Sequence, residues 1–234
     1  MTSITVLGCG ASLGVPVLGC SCRVCNSSDP KNRRRRTGLL VKHEGKNLLI
    51  DASPDLRNAL LFHNLHKIDG LCLTHYHFDH VGGLIDLRAF CKDEYKIPCL
   101  MSNFTLEGMR SHYFSSWECI EKGILSFSLR EILSTEKVIF DFDSFPPIHC
   151  SFHKHGNQEV TSYRFGQVAF VTDVAKWNES ITELLSEAKI AFIGTNYWRK
   201  DFRVPSQHTS IEEILCYVKC LHNLKQIYFM QIMK

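Results

Sequence analysis

Residues 71–83 constrain this chain more than any other stretch. Leu71-Cys72-Leu73 is apolar, Thr74-His75-Tyr76-His77-Phe78-Asp79-His80 follows at once, and Val81-Gly82-Gly83 closes the segment. A short apolar run bounded in this way reads as a buried strand. Three imidazoles and one carboxylate within the six residues His75 to His80 are too dense to satisfy one another inside a core. A divalent ion satisfies them. Alternating imidazoles in an extended loop, His75 and His77, can grip one ion, while Asp79 and His80 turn toward a second. The fold must therefore present the end of a buried strand as a loop of metal ligands.

The rest of the chain repeats a strand-loop-helix theme. Ile4 to Leu7 alternates as a first strand and runs into the small-residue turn Gly8-Cys9-Gly10-Ala11-Ser12. Gly38 to Lys42 and Asn47 to Asp51 read as two strands joined at Glu44-Gly45-Lys46. Asp51 ends its strand at a polar loop, where a carboxylate is well placed to orient a metal-bound histidine. Ser53-Pro54 predicts a helix with Ser53 as N-cap and Pro54 at its first position, Leu56, Ala59 and Leu60 facing inward. Further elements are expected as a helix carrying Leu84, Leu87 and Phe90, a strand from Lys96 to Met101 and a helix from Phe104 to Tyr113. Residues 115–147 are the least readable and suggest an excursion with a short helix from Leu129 to Leu133. Downstream, Ile148 to Phe152 is a strand leading into His153-Lys154-His155-Gly156. Ser162 to Phe165 and Gln167 to Val171 form a hairpin around Gly166, ending at Thr172-Asp173. Asn178 opens a helix to Ala188, and Ile190 to Ile193 is a strand. Ser210 and Glu213 form a capping box for a helix with Ile211, Ile214, Leu215, Val218 and Leu221 on one face. Ile227 to Met230 is the last strand.

With 234 residues, 44% of them hydrophobic, the chain can bury one large core, and no linker divides it, so a single domain is expected. The net charge of +3 is too mild to mark a nucleic-acid binder. Arg33-Arg34-Arg35-Arg36 has two readings, a solvated charge run before a hairpin or a rim that attracts phosphate. No apolar stretch approaches the ~20 residues of a membrane span, and Met1-Thr2-Ser3-Ile4 lacks the basic start of a secretory leader. A cytoplasmic location is expected. Eleven cysteines, scattered and odd in number, then read mostly as reduced thiols, with Cys72, Cys99, Cys216 and Cys220 in the core. Cys20, Cys22 and Cys25 are different. They lie at CxCxxC spacing in a Gly-, Pro- and Ser-rich loop with no apolar periodicity, which suits a tetrahedral structural zinc with a fourth ligand from elsewhere. A redox pair or loosely packed thiols is the alternative.

The HxHxDH motif of His75 to His80, followed by Gly82-Gly83 and preceded by Leu48-Leu49-Ile50-Asp51, resembles the metallo-β-lactamase superfamily. A downstream His-Gly and a strand ending in Asp173 extend the likeness over nearly the whole chain, apart from residues 115–147. Within the superfamily, Leu7-Gly8-Cys9-Gly10-Ala11-Ser12, the CxCxxC, the arginine run and Gln207-His208-Thr209-Ser210 most resemble the phosphodiesterase branch that includes phosphoribosyl 1,2-cyclic phosphate phosphodiesterase. The tRNA 3′-processing endonucleases are near relatives of that branch. The resemblance implies a four-layer αβ/βα sandwich of the α/β class. It also implies a first metal held by His75, His77 and His155, a second held by Asp79 and His80, and Asp173 bridging the two. His155 is preferred to His153 because the family pattern has His followed by Gly. His208 matches the position that acts on the leaving group, the alternative being a helix-capping or surface histidine.

The resemblance thus implies a metal-dependent phosphodiesterase, with His208 and Asp79 catalytic, Asp51 behind the ligands, and Zn2+ or Mn2+ as the catalytic ion. Its expected partner is a small phosphodiester substrate, with RNA and a homodimer mate as further candidates and no membrane. The alternatives are a tRNA 3′-processing endonuclease and a degenerate member that binds metal or ligand without turnover. One departure favours the last of these. Where the family completes its second metal site and its cysteine zinc site with histidines, this chain has Gln231 and Lys234, so a weakly occupied second site and an incomplete structural zinc are expected.

Overall fold

The computed structural model describes residues 2–91, 95–133, 139–140, 145–200 and 208–233. Gln207 of the Gln-His-Thr-Ser segment and Lys234 lie outside them. The chain falls into two compact units, the first comprising residues 1–8 and 35–134, the second residues 9–34 and 135–234.

The first unit is built on a six-stranded sheet in chain order: β1 (Thr2–Gly8), β2 (Gly38–His43), β3 (Lys46–Ile50), β4 (Gly70–Cys72), β5 (Ile97–Ser102) and β6 (Phe127–Ile132). β1, β2 and β3 pair antiparallel, and β3 through β6 run parallel. A parallel sheet needs crossovers and covered faces, so its strands read as continuous apolar runs. Leu48, Leu49 and Ile50 of β3 and Leu71 and Cys72 of β4 are accordingly buried to within 1% of complete. Leu49, Ile68, Leu71, Leu87, Ile97 and Leu125 belong to one apolar cluster, with Leu56, Ala59 and Leu60 from helix α1 (Leu56–Phe62) packed into it.

Three expectations for this unit need correction. The helix after Ser53-Pro54 starts two residues late: Asp55 is its N-cap, and Leu56 N–H bonds to the Ser53 carbonyl. Asp55 makes no cap bond and instead accepts from the Arg36 backbone N–H and guanidinium at 2.8 and 3.1 Å. The segment Leu84–Phe90 is a 3₁₀ helix. Leu84, Leu87 and Phe90 recur every third residue, the period at which 3₁₀ side chains eclipse on one face. Residues 129–132 belong to strand β6 rather than to a helix, because residues 127–132 add in register to β5. Edge pairing overrides a short run whose periodicity is ambiguous.

The second unit is also built on a sheet in chain order, antiparallel first and parallel last. Its six-stranded sheet runs β12 (Gln226–Met230), β11 (Ile190–Gly194), β10 (Val168–Val171), β9 (Gln158–Phe165), β8 (Ile148–His155) and β7 (Ile139–Phe140). β12, β11 and β10 are parallel, and the remaining pairs are antiparallel. Strand β8 is longer than expected and carries both His153 and His155, two residues apart on one face. Helices α5 (Glu179–Ser186) and α6 (Ile211–Val218) supply Ile181, Leu185, Ile214 and Val218 to a cluster with Val171, Ala191 and Ile193. The Ser210/Glu213 capping box at the start of α6 is formed. Leu215, Cys216 and Cys220 face solvent, which corrects their placement in the core; Cys72 and Cys99 are buried.

The arginine run is used for tethering. Arg33 donates to the Ser27 carbonyl, Arg34 to the Lys31 and Met233 carbonyls, Arg35 lies 5.3 Å over the Phe62 ring, and Arg36 pairs with Asp55.

Candidate metal centre

In the first unit the histidine loop starts where β4 ends. Asp51, one residue beyond β3 and 1% exposed, has φ +63°. Its carboxylate accepts the Thr74 backbone N–H at 2.8 Å and the Thr74 hydroxyl at 2.9 and 3.0 Å. His80 Nδ1 lies 2.6 Å from Asp51 Oδ2. The carboxylate can only accept, so Nδ1 of His80 carries the proton and Nε2 is its lone-pair nitrogen. The Thr74 hydroxyl gives its hydrogen to Asp51 and lies 3.0 Å from His75 Nδ1, which sets His75 in the same tautomer. His75 Nε2 and His77 Nδ1 are then 3.0 Å apart. Asp79 Oδ2 lies 3.5 Å from His80 Nε2. His75 and His80 are fully buried.

The backbone holds this loop in place. Residues 78–81 form a one-turn helix, α2 (Phe78–Val81), with His77 extended at its N-cap. The Ala52 N–H donates to the His80 carbonyl at 2.7 Å, and the Gly83 N–H to the Ala52 carbonyl at 2.8 Å. A Cβ on Gly83 would sit 2.1 Å from the Ser53 carbonyl oxygen, so only glycine allows that approach. Tyr76, alternating outward between His75 and His77, stacks on His112 at 5.3 Å and lies 6.0 Å from Phe104. Its ring fills the space above Gly108 in helix α3 (Asn103–His112), where a Cβ would be 2.0 Å from it. Tyr113, which the sequence did not single out, has its phenol pushed up by burial, by the negative charge of Asp79 and by Tyr76.

In the second unit, Asp173 follows β10 by one residue beyond Thr172 and also has positive φ, +51°. His155, at the end of β8, and His208, two residues before the α6 N-cap, face it. Asp173 Oδ1 is 3.8 Å from His155 Nε2 and 3.7 Å from His208 Nδ1. The two imidazoles are 4.7 Å apart between centroids. One ligand atom from each of the three lies within 4.8 Å of the others. His208 is held through its carbonyl by the Tyr197 hydroxyl, and Thr209 donates twice to the Val174 carbonyl. His153 is spoken for: its Nε2 donates to the Thr172 carbonyl at 2.8 Å, and burial pushes its pKa down to about 4. It is a neutral core histidine that supports the residue before Asp173. Gln231, 2% exposed, is joined to Asp173 by two hydrogen bonds.

The thiols of Cys20, Cys22 and Cys25 also lie within 4.8 Å of one another, and the Val17 N–H donates to Cys25 Sγ at 3.3 Å. Zn–S bonds of ~2.3 Å in a tetrahedron put sulfurs roughly 3.8 Å apart, so the loop fits a zinc ion with little movement. The imidazole and carboxylate sets likewise fit divalent metals in donor type, with the lone-pair nitrogens of His75 and His80 fixed by hydrogen bonds from behind.

A strand-terminal HxHxDH loop, buried imidazoles and a two-sheet α/β fold define a class, and the chain belongs to it: residues 46–229 match the beta-lactamase superfamily domain. The fold is the mixed α/β metallo-β-lactamase fold of hydrolases, which implies divalent-metal binding. Within the class, a diphosphatase of the PhnP family has a TM-score of 0.85 and 29% identity, over 100% of this chain and 87% of that one. Zn2+-bound PqqB from Methylobacterium extorquens shares the fold, with a TM-score of 0.73 and 18% identity over 100% and 88%. The octanoyltransferase of Porphyromonas gingivalis is 33% identical over 223 residues, 90% of this chain. The chain spans only 42% of that relative's length. Among the described residues no helix is long and apolar enough to cross a membrane.

Proposed function

We propose that the chain is a divalent-metal-dependent phosphodiesterase acting on a small phosphate diester. The observation that carries this reading is the trio of His155, Asp173 and His208. His155 and Asp173 are buried ligand types, while the His208 side chain, equally close to the carboxylate, is 19% exposed against 6% for His155. Such a group reaches both the centre and an incoming substrate. The similarity to a diphosphatase over the whole chain supports phosphorus chemistry. The octanoyltransferase does not compete with it, since more than half of that protein lies outside the match.

In this reading His75, His77, His155 and Asp173 would hold one ion, and Asp79, His80 and Asp173 a second, Zn2+ or Mn2+ in each case; Cys20, Cys22 and Cys25 would hold a structural Zn2+. Bound divalent ions supply Lewis acidity toward phosphoryl oxygens and make an attacking water acidic. The protein's own groups do the rest. Asp51 fixes the tautomer of His80 directly and that of His75 through Thr74, which leaves Nε2 of each as the nitrogen that would take a metal. Asp79 places its carboxylate beside His80, where its charge also acts on the Tyr113 phenol. His208 protonates or stabilises the departing alkoxide, a task suited to an imidazole, whose two nitrogens can give and take a proton. Its carbonyl bond to Tyr197 and the capped helix behind it keep the ring oriented.

The test is hydrolysis of bis-(p-nitrophenyl) phosphate with added manganese or zinc, and its loss in His77→Ala, by ~10³-fold or more if ligand removal abolishes charge stabilisation. A panel of cyclic phosphates, dinucleotides and precursor tRNA then names the substrate. Turnover of precursor tRNA alone would replace this reading with a tRNA 3′-processing endonuclease. Tight metal binding without turnover of any diester would make the chain a non-catalytic binding member.

A further inference from the structure

Gln231 is a polar side chain buried at the end of a parallel strand, in a left-handed backbone conformation of φ +59°. Such a conformation is unfavourable in a residue other than glycine, so the surrounding contacts must hold it there. Those contacts converge on Asp173. The Gln231 amide Nε2 donates to Asp173 Oδ2 at 2.6 Å, and Gln231 Oε1 accepts the Asp173 backbone N–H at 3.4 Å. Reversing the amide would set its NH2 against an N–H and its oxygen against a carboxylate, so the orientation is determined by the network. The Thr172 hydroxyl donates to the same Oδ2 at 2.7 Å. A carboxylate oxygen has two lone-pair positions, and both positions of Oδ2 are thereby used. Oδ1 is the atom that faces His155 and His208.

The space for this arrangement is made by Gly194, at the end of β11. A Cβ there would lie 2.0 Å from Gln231 Oε1 and 3.0 Å from Thr172 Oγ1. The oxygen of Gln231 that would be its only hard-metal donor is thus turned onto the Asp173 backbone and over Gly194.

We propose that Gln231 is a positioning residue, which clamps Asp173 so that it meets a divalent ion through Oδ1 alone, and that Gln231 itself ligates no metal. The clamp rests on the reading of Asp173 as a ligand and on nothing about the substrate. It acts in two ways: it removes rotational freedom from the carboxylate before metal arrives, and it prevents a two-oxygen chelate. Hydrogen bonds of this kind behind a ligand are worth ~10–100-fold in metal affinity.

The experiment is calorimetric and visible-absorption titration of the metal-free full chain with Co2+, comparing wild type, Gln231→Met, Thr172→Val and Asp173→Ala. Methionine keeps the volume and removes the donor. Gln231→Met is expected to weaken Co2+ at the Asp173 site by ~10–100-fold and to change its absorption band, with the far-ultraviolet circular dichroism unchanged. Thr172→Val, which leaves Gln231 in place, is expected to move both readouts the same way by a smaller factor, and serves if Gln231→Met does not fold. Wild-type affinity and band shape in a folded Gln231→Met, or in Thr172→Val if Gln231→Met does not fold, would overturn the clamp. Wild-type affinity in Asp173→Ala would overturn the ligand reading beneath it, a distinct outcome.

Discussion

Substitutions at Asp51 separate what the buried carboxylate does for the fold from what it does for metal binding. Asp51→Ala removes the acceptor of three donors in a region without exposure: the Thr74 N–H, the Thr74 hydroxyl and His80 Nδ1–H. Hydrogen bonds to a charged group are worth ~1.5–3 kcal/mol each, part of which is recovered if water enters the vacated volume. Alanine also adopts φ +63° at a further cost of about 1–2 kcal/mol. The expected loss is therefore about 4–6 kcal/mol, a large share of the 5–15 kcal/mol available to a typical domain. Asp51→Asn is different. Asparagine tolerates the left-handed conformation and keeps one oxygen for Thr74, so the stability loss is expected to stay near ~1 kcal/mol. Its amide N–H, however, then points at His80 Nδ1, drives the proton to Nε2, and removes the lone pair that would meet the ion. Urea unfolding of the metal-free protein should thus rank wild type, Asn and Ala in that order. A Zn2+ titration should show Asn weakened by ~10–100-fold despite its near-native fold. If Asp51→Asn binds Zn2+ as wild type does, the tautomer argument is wrong. If Asp51→Ala unfolds within ~1 kcal/mol of wild type, so is the hydrogen-bond accounting.

Two other substitutions each test a single contact. Gly108→Ala places a methyl group 2.0 Å from the Tyr76 ring, and the overpacking is expected to cost ~1–3 kcal/mol in thermal unfolding while moving the loop that carries His75 and His77. Cys22→Ser removes one of three clustered thiols. If the loop holds zinc, metal analysis should show that ion lost, with a penalty of roughly 3–4 kcal/mol, about a quarter of the ~10–16 kcal/mol of a structural zinc.

The parts of this molecule that were legible in its sequence are those whose cause is local. Apolar runs mark the parallel strands because both faces of such a strand are covered, as at Leu48 to Ile50 and Leu71 to Leu73. The Ser210/Glu213 box and the Asn178 cap were readable because a cap is decided within four residues. Misreadings fall where a partner decides. Residues 129–132 pair with β5, and no periodicity within the segment announces it. Cys216 and Leu215 follow Ile214 on α6, yet the buried face is held by Ile211, Ile214 and Val218. Asp55 was hidden as an N-cap because its side chain is drawn away by Arg36. His153 and His155 differ in the sequence only by the glycine after His155, and it is the Thr172 carbonyl beside His153 that gives the physical difference between them.

The two units place their carboxylates by the same device, and this explains why the site residues sit where they do. Each has a parallel strand, β3 or β10, whose apolar residues stop just short of an aspartate with positive φ, Asp51 at +63° and Asp173 at +51°. Left-handed backbone immediately after a strand turns the side chain back across the strand end. It also puts the aspartate's own N–H on a neighbour, the Cys72 carbonyl for Asp51 and the Gln231 amide for Asp173. The strain, ~1–3 kcal/mol for each, persists because buried donors over-determine the carboxylate: Thr74 and His80 in one unit, Thr172 and Gln231 in the other. The difference lies in what each carboxylate then faces. Asp51 spends its oxygens on Thr74 and His80, so it could act on a metal only through an imidazole. Asp173 has its donors gathered on Oδ2 and its Oδ1 directed at His155 and His208. The same turn at a strand end thus makes a group that orients an imidazole in one unit and a candidate ligand in the other.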